Sequence, residues 1–276
     1  MPFSQVTTLT AVAMLAFAGN SLLCRVALAG AQMDAASFTT LRLASGALML
    51  WLLARTRSGA GTGNWGSALA LFAYAAGFSL AYLELTAATG ALLLFGAVQV
   101  TMIGFGLVSG ERLGAWQWLG VAAALAGLTG LLLPGLQAPP LAAALWMLGA
   151  GVAWGLYSLR GRGAGDTVRV TAGNFLRAVP LAIVLNVVLR EQFAVSSLGV
   201  ACAVASGALA SGLGYAIWYR VLPQLRASAA ATVQLSVPLL AAVGGVLFLG
   251  ELSSMRLGIA SVAILGGVAL VLKQRA

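Results

Sequence analysis

Ten apolar runs, each of about 20 residues, follow one another along this chain with only short polar connections, and that spacing limits its fold more than any other feature. An α-helix rises 1.5 Å per residue, so a run of that length crosses the ~30 Å hydrocarbon core of a bilayer. The runs fall at residues 7–29, 35–54, 65–84, 88–109, 114–133, 141–160, 168–189, 198–219, 228–249 and 255–272. Composition excludes a soluble globule: 61% of the residues are hydrophobic and 8% charged, whereas soluble domains are about a quarter charged. The expected fold is an all-α integral membrane protein of ten transmembrane helices, with no room for a soluble domain.

The chain is also written twice. The stretch Ala87–Leu131 has a counterpart in the second half. Each copy is an apolar run of small residues, a Gly-Glu dipeptide (Gly110-Glu111; Gly250-Glu251) and a second apolar run opening near a glycine (Gly120; Gly258). Arg25 and Arg42 precede Arg160 and Arg177 by 135 positions, Gly77 and Tyr82 precede Gly214 and Tyr219 by 137, and the Gly-Glu dipeptides are 140 apart. A nearly constant offset marks an internal repeat, its drift a short insertion near Gln224–Arg226. Residues 1–134 and 139–276 are read as the two copies, joined at the proline-rich, uncharged stretch 134–140.

Net charge +9 would point to nucleic acid in a soluble protein, but here it is distributed as the positive-inside rule requires. With the N-terminus in the cytoplasm, Arg55, Arg57, Arg112, Arg160, Arg162, Arg169, Arg220, Arg226, Lys273 and Arg275 fall inside, and only Arg190 and Arg256 fall outside. Both termini are therefore expected in the cytoplasm. Five helices per copy is an odd number, so the second copy is expected upside down, an inverted repeat. Ala16-Phe17-Ala18 resembles a leader-cleavage site, but no Lys or Arg precedes it, so an uncleaved first helix is expected. Cys24 and Cys202 lie in apolar runs and read as inert packing.

Polar and aromatic residues at mid-membrane depth are the candidate site, because an amide or hydroxyl there must find a partner where there is no water. Asn20, Gln99 and Gln234 are the central amides, each either an interhelical hydrogen bond or a cavity wall. Tyr74, Phe78 and Tyr82 recur at i, i+4 and i+8 and form one stripe, read as core packing or as the wall of a cavity that accepts rings. Trp154, too deep for an interfacial tryptophan, aligns with Gly19, and Tyr157 and Ser158 follow it. Ser206, Ser211 and Tyr215 lie along the eighth run, and Pro238 stands at mid-depth in the ninth.

Arg42, two turns inside the second run, is expected on helix-end carbonyls or the external acids, as an anchor or as a contact for a substrate carboxylate. Arg177 is its counterpart at the opposite face, and the pair reads as scaffold or gate. Arg25 is expected to reach the outer interface. Gly106 and Gly110 form a GxxxG spacing for close helix contact.

The absences separate the function classes. There is no histidine, and the six acids sit in connections or at helix ends, so the usual proton-relay groups are missing from the membrane interior. No metal-ligand cluster, phosphate loop, nucleophile elbow or carboxylate pair is written in the chain. No enzyme activity, cofactor, metal or nucleic-acid partner is expected. A transporter needs only a cavity and two interchangeable halves.

Gly19-Asn20 with Arg25, Leu41-Arg42-Leu43, Gly110-Glu111-Arg112-Leu113 and Gly250-Glu251-Leu252 resemble the drug/metabolite transporter superfamily, in its ten-helix members built from two EamA-type repeats. The resemblance covers essentially the whole chain, and it is closest to the YddG-type exporters of aromatic amino acids. It implies monomeric, alternating-access export across a bacterial inner membrane, the substrate lying between the repeats. On that reading the rings of Tyr74, Phe78, Tyr82, Trp154, Tyr157 and Tyr215 stack on an aromatic side chain. Asn20, Gln99 and Gln234 take the zwitterionic head, with cation-π contact for its ammonium group. A broad multidrug or metabolite exporter is the alternative within transport, and an intramembrane enzyme or lipid-handling protein the alternative outside it.

Overall fold

The structure, a computed structural model, describes the chain from residue 2 to residue 273 apart from positions 31, 58, 60, 111, 134, 136–137, 162–164, 190–192, 226–232 and 253. Glu111, Pro134, Arg162, Arg190, Glu191, Arg226 and Arg275, which the sequence analysis used, lie outside the described residues, as does the side chain of Lys273. Among the described residues ten helices form, besides a short 3₁₀ turn at Leu222–Gln224: α1 (Phe3–Leu28), α2 (Ala35–Arg55), α3 (Trp65–Ala81), α4 (Ala87–Val108), α5 (Ala115–Leu132), α6 (Leu141–Arg160), α7 (Thr167–Val188), α8 (Ser197–Val221), α9 (Ser236–Leu249) and α10 (Met255–Lys273). Seven of them, α1, α2 and α4–α8, are long and apolar enough to cross a membrane, while α3, α9 and α10 are shorter apolar helices. The described residues include no strand, only an isolated antiparallel bridge between Met33 and Val195. The chain is a multi-pass membrane protein.

Helix ends follow from local chemistry. The first turn of a helix leaves backbone N–H groups without partners, and side-chain oxygens accept from them. Asp34 accepts from the Ser37 N–H, Asn64 from Ser67, Thr86 from Thr89, and Asp166 from both Val168 and Arg169. The glycines of the repeated dipeptides end helices: Gly110, just beyond α4, has φ 91°, and Gly250, the C-cap of α9, has φ 63°. That left-handed conformation is open to glycine and strained for most residues. Gly110 therefore serves a turn and not the GxxxG contact expected of it: a Cβ built on it meets nothing within 4 Å.

Pro238 is the third residue of α9, which follows helical residues 233–234 across an interruption at Leu235, and a proline there cannot donate to the carbonyl four residues earlier, at Gln234. The feature that periodicity did not show is in α8, where Ala205–Leu213 winds as a π-helix between two α-helical segments. A π-helix bonds i to i+5, and Ser206 and Ser211, five apart, are both buried.

The helices pack in pairs: α5 with α10, α2 with α7, α3 and α4 with α6, α1 with α8 and α9, and α2 with α8. Several pairings have a counterpart five helices on, as α3/α6 does in α1/α8 and α4/α6 in α1/α9. The contact of α2 with the π stretch is backbone-close, because a methyl group on Gly207 would collide with the Arg42 carbonyl and the Ser45 hydroxyl. Small residues permit such contact where no hydrophobic effect drives helix association.

Candidate substrate site

Midway along the bundle, α1, α3, α4, α6 and α8 enclose a cavity of about 20 Å³, room for a single water. Phe17, Asn20 and Ser21 of α1, Tyr74 and Phe78 of α3, Leu94 and Phe95 of α4, Trp154 of α6, Ala210, Ser211 and Tyr215 of α8, and Gln234 line it. Its size follows from the rings, which have closed on one another. The Trp154 indole lies 4.8 Å from Tyr74, 5.1 Å from Tyr215 and 5.5 Å from Tyr157, centroid to centroid, with interplanar angles of 46°, 38° and 31°. Phe17 meets Tyr215 edge-on at 5.8 Å. These separations are within the 4.5–7 Å range of favourable aromatic pairs.

Polar groups are few and linked in series. Ser206 Oγ donates to Asn20 Oδ1 at 2.6 Å, and Asn20 Nδ2 donates to the Tyr74 hydroxyl at 3.4 Å. Arg42 Nη2 donates to the same hydroxyl at 2.8 Å. Arg42 is 1% exposed, and its guanidinium carbon stands 5.0 Å and 4.8 Å from the ring centroids of Tyr74 and Phe78. It thus reaches neither helix-end carbonyls nor an acid, and among the described residues no carboxylate pairs with it. Its Nη1 and the cavity-lining Ser211 Oγ are buried with no hydrogen-bond partner among the described residues.

Polar straps close the bundle at both ends. At the end where α1 finishes, Glu251 accepts the Ala87 N–H through both carboxylate oxygens, at 3.0 and 2.9 Å, at the positive end of the α4 dipole. Arg25, half-buried there rather than free at an interface, pairs with Glu251 at 3.3 Å and donates to the Tyr82 and Leu83 carbonyls. At the other end Arg57 pairs with Asp166 at 3.0 Å, and the Asn64 N–H donates to Asn174 Oδ1. Burial pushes the Asp166 carboxyl up, but the Arg169 N–H, the Arg57 guanidinium and the Val168 N–H outweigh it and hold the group below its ordinary value.

Seven of the twelve expected cavity residues come together in the wall: Asn20, Tyr74, Phe78, Trp154, Ser211, Tyr215 and Gln234. The other five stand elsewhere. Tyr157 stacks on Trp154 from outside the wall and accepts from Asn174 Nδ2. Tyr82, fully buried, donates to the Ala87 carbonyl at the α3–α4 connection. Ser158 bonds back to the Trp154 carbonyl in its own helix, Gln99 is buried outside the lining, and Pro238 is in the first turn of α9. Arg177 is not matched to Arg42: half-exposed, it donates to the Thr62 and Gly173 carbonyls. Phe17 and Ser21 went unnoticed although they share a helix face with Asn20. Leu94 and Phe95 carry no signal that separates them from lipid-facing residues.

Residues 141–273, the second half with its Trp154, Ser211, Tyr215 and Gln234, match the EamA-like transporter family. An uncharacterized protein of Pseudomonas aeruginosa is 57% identical over 278 aligned positions, spanning 100% of this chain and 97% of that protein. The second half of the chain is an EamA-like transporter family domain. A solved crystal structure aligns with 98% of this chain and 98% of its own at a TM-score of 0.67 and 22% identity, a likeness of fold alone. A multi-pass membrane protein with a transporter-family domain points to transport, and a transporter's substrate is a small molecule.

Proposed function

We propose that this protein is a transporter that exports aromatic or bulky apolar amino acids and related amphipathic metabolites from the cytoplasm across a bacterial inner membrane, as a monomer. Residues 1–134 and 139–276 act as two inverted repeats, both termini lie in the cytoplasm, and the cavity between them opens alternately to either side. The observation that carries this is Trp154 held between Tyr74 and Tyr215 in a wall of apolar residues and rings, with Asn20, Ser21, Ser211 and Gln234 as its other polar side chains. A flat apolar side chain would replace ring-on-ring contact with ring-on-ligand contact at little cost, and Asn20, Ser211 and Gln234 would orient its polar end. The helix pairings that recur five helices apart support two exchangeable halves.

The reading is tested by counterflow. Liposomes containing the protein are preloaded with unlabelled tryptophan or phenylalanine and given trace labelled amino acid outside, with no ion gradient. Accumulation above protein-free vesicles, competed by aromatic and not by small polar amino acids, is the expected result. A null result with both preloads would refute the reading, and accumulation only under a pH gradient would refute uncoupled exchange.

A further inference from the structure

The site holds a positive charge that no described residue balances. Arg42 is fully enclosed in the bundle, its Nη1 has no partner among the described residues, and the two ion pairs found among them, Arg25–Glu251 and Arg57–Asp166, lie at the two ends of the molecule. An arginine cannot shed its proton at accessible pH, so this charge persists, and a buried unpaired charge is costly. The structure places it one side chain behind the cavity. Arg42 and Asn20 both donate to the Tyr74 hydroxyl oxygen, which leaves the hydroxyl proton to be donated elsewhere, and Tyr74 lines the cavity. A hydroxyl that accepts from a guanidinium is polarised into a stronger donor.

The same geometry disfavours a cation. Tyr74 and Phe78 already face the Arg42 guanidinium, and the Asn20 carbonyl oxygen already accepts from Ser206. An ammonium group beside Tyr74 and Phe78 would meet rings shared with a like charge and an amide oxygen already engaged.

We propose that the substrate is recognised as a carboxylate anion on an aromatic or bulky apolar body, its carboxylate accepting the Tyr74 hydroxyl proton with Arg42 behind it, and that an α-ammonium group adds nothing to binding. This rests on the transport reading above and narrows its substrate class: aromatic acids bind at least as well as the matching amino acids, and decarboxylated amines do not.

The test is binding, read separately from transport, as thermal stabilisation of the purified protein by indole-3-propionate, tryptophan and tryptamine at matched concentrations, since a ligand that binds only the folded state stabilises it by RT ln(1 + [L]/Kd). The expected order is indole-3-propionate equal to or above tryptophan, with tryptamine at least about tenfold weaker, the size of a lost charge-assisted hydrogen bond. In Tyr74→Phe, which keeps the ring and removes the hydroxyl, the preference for acid over amine falls about tenfold. Arg42→Gln loses it and Arg42→Lys keeps most of it; should Arg42→Gln fail to fold, Tyr74→Phe decides. Tryptamine binding as well as indole-3-propionate, an acid preference undiminished in Tyr74→Phe, or no stabilisation by any of the three would each overturn the proposal. If counterflow fails while indole-3-propionate still stabilises, the amino-acid export reading falls and this one stands.

Discussion

Gly110 and Gly250 show how one residue type serves two ends at the scale of a side chain. Both have positive φ, and Gly250 turns the chain so that Glu251 can cap α4. An alanine in the left-handed region costs about 1–2 kcal/mol. Gly110→Ala and Gly250→Ala should therefore lower thermal stability, while Gly104→Ala, in the helix interior with open space at its Cβ, should leave it unchanged or raise it by about 0.5–1 kcal/mol. Melting of the three variants in detergent checks this.

Asp166 gives the second expectation at this scale. Its folded value is depressed, so its contribution is fully present above the ordinary aspartate value of 3.8 and is lost as pH falls through the lower, folded value. Melting temperature should carry no Asp166-dependent step between pH 5 and 8, a step being the difference between wild type and Asp166→Asn across a pH series. The mid-depth amides and rings could be read from the sequence because polar groups there are costly and need a reason. The environment of Arg42 could not, since its partners, a tyrosine hydroxyl and two ring faces, come from another helix and carry no charge that sequence inspection would pair with it.

Among elements, α8 decides the shape of the site. Its π stretch puts Ser206 on Asn20 and Ser211 in the cavity wall, Tyr215 lines the wall from the α-helical segment that follows, and Gly207 lets the π stretch press on the α2 backbone beside Arg42. Gly207→Ala should destabilise by about 1–3 kcal/mol through overpacking and weaken ligand binding with it, because it pushes α8 off α2. Melting with and without ligand separates the two effects. Nine of the ten apolar runs read from the sequence coincide with described helices to within a few residues, since an uninterrupted apolar length can only be a helix in a bilayer. The ninth run was expected from 228, and α9 is described from Ser236, with 226–232 outside the description. The π winding was not legible, because Ala, Ser and Gly suit either helix type and the i+5 bonding depends on the packing against α1 and α2.

At the scale of the molecule, the two polar straps differ where the repeated sequence would make them alike. Arg25 joins Glu251 and the carbonyls after α3, whereas Arg160, its counterpart 135 positions on, donates to Ser67 and Asn64 at the start of α3. Alternating access would exchange these arrangements, so the Glu251 strap must break when the cavity opens on that side. Glu251→Gln should accordingly shift the protein toward that opening, seen as faster labelling of a cysteine placed at Leu83, while Glu84→Gln, an exposed acid beside it, leaves labelling unchanged.

If substrate binds in the ring cavity around Trp154 during transport, removing the indole must sharply reduce exchange. Counterflow of labelled tryptophan by Trp154→Ala, in liposomes matched to wild type for protein content and with outward-facing Leu69→Ala as the control, tests it most directly. Exchange should fall about tenfold or more in Trp154→Ala and not at all in Leu69→Ala. Wild-type counterflow in Trp154→Ala would contradict it.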